Sequence, residues 1–227
     1  MKKLLSYFTK GELILWFSSL FFITASFFIF DGEGYLTFIA SLIGATSLIF
    51  CAKGNPVGPF LMIIFGILYG IISLSFSYYG EMITYVGMSV PMSLFSFIAW
   101  MRNPYNGKIS EVTVSRIKKK DIIFMTLLTL IVTVAFYFIL KAFNTANLIP
   151  STISVATSFL AVLLTYKRSP YYALMYAAND VVLIVLWVLA AMTDISYLSV
   201  IICFIAFLVN DVYGFINWKR MQKRQAE

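Results

Sequence analysis

Six stretches of the chain, 13–30, 34–52, 54–80, 82–101, 122–140 and 142–166, contain no charged side chain. Each approaches or exceeds the roughly 20 apolar residues that cross a ~30 Å hydrocarbon core. Two further stretches, 170–192 and 195–218, are interrupted only by Asp180 and Asp211. Backbone in lipid must satisfy its own hydrogen bonds, which leaves helices or closed barrels. The runs are continuous rather than the alternating segments of about 10 residues that barrel strands require. The expectation is an all-α membrane protein of eight transmembrane helices. Composition agrees, with 61% hydrophobic and 12% charged residues against about a quarter charged in soluble domains. Lys2, Lys3 and Lys10 precede the first run, but that run is long for a signal peptide and Asp31 follows it without a small-residue cleavage site, so it counts as a helix.

The net charge of +7 reflects topology rather than an affinity for nucleic acid. With the N-terminus in the cytoplasm, every Lys and Arg except Lys141 falls in a cytoplasmic segment, a positive-inside pattern that places both termini inside the inner or plasma membrane. The chain contains no histidine, and Cys51 and Cys203 stand alone within helices, so neither a metal site nor a disulfide framework is expected. No cofactor is called for.

An internal repeat organises the helices. Lys53-Gly54-Asn55-Pro56 aligns with Lys167-Arg168-Ser169-Pro170 at a shift of 114 residues, and Ile98-Ala99-Trp100 aligns with Ile216-Asn217-Trp218 at a shift of 118. This divides a single transmembrane domain, 1–227, into an extra N-terminal helix (13–30), a three-helix unit (35–101), a linker helix (121–140) and a second three-helix unit (147–218). The 1+3+1+3 order makes the repeat parallel, about an axis along the membrane normal, and such repeats place a substrate site between the units near the midplane.

Ionisable groups at bilayer depth are costly and normally face a bundle interior or a watery cavity, so Asn179-Asp180 and Asn210-Asp211 mark a polar site. Tyr176, Asp180, Leu183 and Trp187 share one helical face, an expected slot in which Tyr176 and Trp187 stack a ring while Asn179 and Asp180 bond its polar groups. Asn210, Tyr213 and Asn217 share a face of the last helix, with Asn210 the expected ligand and Asp211, placed near the cytoplasmic end, the weaker candidate. In the first unit Glu81, Tyr85 and Ser93 are candidate cavity residues, and Pro91 is expected to kink their helix beside it.

Tyr79-Gly80-Glu81-Met82, Pro91-Met92, Trp100, the run Tyr176-Ala177-Ala178-Asn179-Asp180 and Trp218 together resemble the PnuC-type vitamin transporters, best known for nicotinamide riboside. The likeness extends from about residue 12 to 220. It implies a SWEET-like fold, a homotrimer, and facilitated diffusion drawn inward by phosphorylation of the vitamin. Many relatives that take nicotinamide riboside carry Gln where this chain has Ser93, and Trp where it has Tyr172 or Tyr176. Nicotinamide riboside is thus the first expected substrate, with thiamine, riboflavin or a deoxynucleoside as alternatives. No GxxxxGK[ST] sequence is present to couple transport to ATP. Outside transport, two readings remain: a helical channel or scaffold, and an intramembrane aspartyl protease using both Asp residues.

Overall fold

In lipid the helix ladder satisfies the backbone locally, so each apolar run closes on itself and only the connections need special chemistry. The computed structural model describes residues 7–32, 34–75, 79–145 and 147–227, without the side chains of Ser75, Tyr79 and Glu81. Among them are eight helices long and apolar enough to cross a membrane. We label these α1 (Lys10–Asp31), α2 (Tyr35–Ala52), α3 (Val57–Leu74), α4 (Ile83–Met101), α5 (Lys119–Ala142), α6 (Leu148–Tyr166), α7 (Tyr171–Ala191) and α8 (Ile195–Arg224). Their outer surfaces are strongly apolar. On α5, only Met125 and Leu140 are buried, a surface suited to lipid and untenable in water.

Helix ends follow from local sequence. A capping box starts α1, in which Thr9 Oγ1 accepts from Glu12 N at 3.3 Å and Glu12 Oε2 accepts from Thr9 N at 2.7 Å. The ends of α2 and α6 are alike. Gly54 (φ 66°) and Arg168 (φ 56°) take the left-handed conformation. Asn55 N donates to Phe50 O at 3.0 Å and Ser169 N to Leu164 O at 3.0 Å, the bond that closes a Schellman turn. On α4, Pro91 follows a change of helix type. The turns before it, Ile83–Ser89, widen to i→i+5 bonding, and Val90 N donates to Tyr85 O. Proline lacks the N–H that would continue the tighter ladder, which accounts for the shift in register.

The polar stretch 102–120 is more ordered than a loop. Pro104–Tyr105 (β1) pairs antiparallel with Lys108–Val112 (β2), across a turn with Asn106 and Gly107 both at positive φ. Val112 N donates to Gly54 O at 2.9 Å, and Gln225 Oε1 accepts from Val114 N at 2.7 Å, so the hairpin lies over the basic end of the bundle.

α2 packs on α3 and α8, and α6 packs on α7, α5 and α4. Just inside the basic end these groups exchange tryptophans. Trp100 of α4 donates its indole N–H to Thr165 O of α6 at 2.9 Å, and Trp218 of α8 donates to Cys51 O of α2 at 2.8 Å. The two rings lie 5.3 Å apart, with Tyr172 against Trp218 at 5.0 Å. Replacing either Trp by Phe removes one buried hydrogen bond and part of a packed ring. Each variant should therefore lose about 2 kcal/mol, read as a fall in melting temperature in detergent, and the matched geometry makes the two losses similar.

Candidate functional site

A cavity of about 160 Å³ opens at mid-depth in the bundle, with room for roughly five waters at about 30 Å³ each. It is walled by α2, α3 and α4 on one side and by α6, α7 and α8 on the other, with Leu140 of α5 at its edge. Gly44 lets two rings of the wall pack directly on α2, because a Cβ there would come within 2.5 Å of Phe207 and 2.9 Å of Phe65.

α7 carries the polar centre. Asp180 lies midway along it and is 4% exposed. The Asp180 and Asp211 carboxyls both line the cavity, close enough to influence one another. Asp180 Oδ2 is buried without a hydrogen-bond partner, and neither acid belongs to an ion pair among the described residues. Two carboxyls facing each other without a countercharge make a place where a cation is attracted. One turn before Asp180, Tyr176 lines the same wall. Opposite stand Tyr85 and Phe65, whose centroids are 6.3 Å apart.

Of the expected site residues, the structure brings Tyr176, Asn179, Asp180, Tyr85 and Ser93 into one cavity. The Glu81 side chain lies outside the described atoms. Four others stand elsewhere. Trp187 packs against Tyr197 at 5.3 Å and is not part of the cavity wall, although its neighbour Leu186 is. Asn210 Nδ2 donates to Ser19 Oγ of α1 and to Ala206 O, each at 2.8 Å. Tyr213 donates to Glu12 Oε1 at 2.8 Å, and Asn217 Nδ2 donates to Ala52 O at 2.9 Å. The polar face of α8 thus joins helices, while Asp211, about 100° round from Asn210, is the member of the pair that reaches the cavity. Asp211 also lies near the middle of its helix rather than near an end, since α8 continues past Trp218 to Arg224.

Sequence reasoning missed the hydroxyls of Ser151, Ser154 and Ser158 on α6, and that of Thr84 on α4. The serines recur at i, i+3 and i+7, a helical stripe that periodicity would have found.

Apolar helices enclosing a polar, aromatic-walled cavity at mid-depth are the architecture of a multi-pass membrane transporter. The chain belongs to the nicotinamide mononucleotide transporter family, which matches residues 34–220 and is the PnuC-type group that its motifs resemble. The nicotinamide riboside transporter PnuC of Neisseria mucosa is 24% identical over 217 residues, covering 93% of this chain and 82% of that protein. The nicotinamide riboside transporter PnuC of Haemophilus influenzae is 23% identical over 193 residues, covering 85% and 82%. The fold is similar to a crystal structure of the vitamin B3 transporter PnuC, with a TM-score of 0.81 over 96% of this chain and 94% of that one at 22% identity. The family is one of transporters, which sets aside the scaffold and protease readings.

Proposed function

We propose that the protein carries nicotinamide riboside across the cell membrane by facilitated diffusion, through the cavity centred on Asp180. The observation that carries this is the pair of acids lacking a countercharge beside Tyr176, Tyr85 and Phe65. Nicotinamide riboside is a flat cationic ring on a ribose. The carboxyls attract its charge, the aromatic rings offer it faces, and the hydroxyls of α4 and α6 suit its polar edges.

Transport follows from a parallel repeat, α2–α4 and α6–α8, with α5 as linker and α1 in front. The matched turns at Gly54 and Arg168 and the reciprocal Trp100 and Trp218 bonds support that symmetry. With both termini cytoplasmic, the tryptophan layer lies between cavity and cytoplasm, and rocking of one unit against the other parts it to release substrate inward. A homotrimer is the assembly we propose, to be checked by the mass of the detergent-solubilised particle.

Binding of nicotinamide riboside to purified protein tests the substrate. At a hundred times its Kd a ligand that binds only the folded state adds about 2.7 kcal/mol of stability, visible as a higher melting temperature. Uptake into proteoliposomes should saturate and ignore imposed proton or sodium gradients. Stabilisation by thiamine, riboflavin or a deoxynucleoside but not by nicotinamide riboside would reassign the substrate.

A further inference from the structure

Asn179 is 7% exposed, and its Oδ1 accepts hydrogen bonds from Ser154 Oγ and Thr157 Oγ1 of α6, each at 2.9 Å. The Ser154 hydroxyl has no other partner among the described residues, so its single proton is committed to Oδ1. Turning the amide over would break both hydroxyl bonds to Oδ1 at once and oblige Ser154 to find another acceptor. Thr157 is served in the present orientation too. Its alternative acceptors, Ile153 O at 3.0 Å and Ser154 O at 3.1 Å, are carbonyls within α6 that helical N–H groups can satisfy. Asn179 Nδ2 has no partner among the described residues, yet the residue forms part of the cavity wall. At the next position Asp180, whose carboxylate can only accept, lines the same cavity.

We propose that Ser154 and Thr157 are positioning residues that hold the Asn179 amide with its N–H groups toward the cavity. Asn179 and Asp180 then present a donor beside an acceptor, which selects a ligand carrying a carbonyl oxygen beside an N–H, that is, a carboxamide. The inference rests on the nicotinamide riboside reading and deepens it. The hydroxyls need not touch the ligand. They prevent the amide from rotating to show its oxygen, which would meet the ligand's carbonyl as one acceptor against another.

The test compares nicotinamide riboside with pyridinium riboside, the same ring and ribose without the carboxamide, by Kd on purified protein. Wild type should prefer the carboxamide by about tenfold, the worth of one good hydrogen bond. In the Ser154→Ala, Thr157→Val double variant that preference should shrink toward one while pyridinium riboside binds nearly as before. The conservative exchange Ser154→Thr with Thr157→Ser should keep the preference. Equal weakening of both ligands by the double variant would mean that the hydroxyls serve packing alone and would overturn the proposal, as would an unchanged ratio. Failure of wild type to bind nicotinamide riboside would overturn this inference together with the substrate on which it rests.

Discussion

Asp180→Asn should lower the affinity for nicotinamide riboside on the order of a hundredfold. A unit charge about 4 Å from another in a medium of effective dielectric near 20 gains about 4 kcal/mol, and the desolvation of both groups returns part of that. A net loss of ~3 kcal/mol corresponds to roughly two orders of magnitude in Kd. The substitution keeps side-chain shape, so the cavity survives. The neutral comparison ligand is dihydronicotinamide riboside, nearly the same outline without the ring charge, and its affinity should change by only a few-fold. If both ligands lost equally, the acid would be structural and charge would leave the account. Asp211→Asn should show the same charge discrimination, because Asp211 faces the same cavity.

The second large effect lies far from the cavity. Glu12 is 2% exposed and accepts from Lys53 Nζ at 2.9 and 3.1 Å, Tyr213 Oη at 2.8 Å and Thr9 N at 2.7 Å. One carboxylate thereby ties α1 to the α2–α3 turn and to α8. Lys53 also sits over the Tyr7 ring at 4.7 Å, so its charge is held within the cluster. Glu12→Ala leaves that ammonium largely buried and unpaired, which should cost about 3–5 kcal/mol and lower the melting temperature by roughly 10 °C in a chain of this size. The double variant Glu12→Leu, Lys53→Met removes both charges and should recover most of the loss, since a buried pair contributes little over an apolar one of similar volume. A double variant as unstable as the single one would show that packing around Glu12, not an orphaned charge, sets the effect.

The two Asn-Asp pairs show where reading the chain stops. Periodicity correctly grouped Asn210, Tyr213 and Asn217 on one face, because the angle between residues of a helix is a local property. It could not say what that face meets. The partners are Ser19, Glu12 and the Ala52 carbonyl, well over a hundred residues away in sequence. Trp187 is the same case: its ring packs on Tyr197 while its neighbour Leu186 lines the cavity, a choice made by the segment that α7 meets there and not by its own periodicity.

By itself the sequence determined the eight spans, the turns at Lys53–Pro56 and Lys167–Pro170, and the presence of a polar site on α7. Lipid demands that each helix satisfy its own backbone, and turn chemistry acts over a few residues. Only the tertiary structure decided that Asp211 rather than Asn210 joins Asp180, that Phe65 joins the expected Tyr85 as a facing ring while Trp187 does not, and that the serines of α6 line the cavity. Those choices depend on which helix surfaces pack together, and in lipid that is settled by the shape and polar bonds of distant segments rather than by any local pattern.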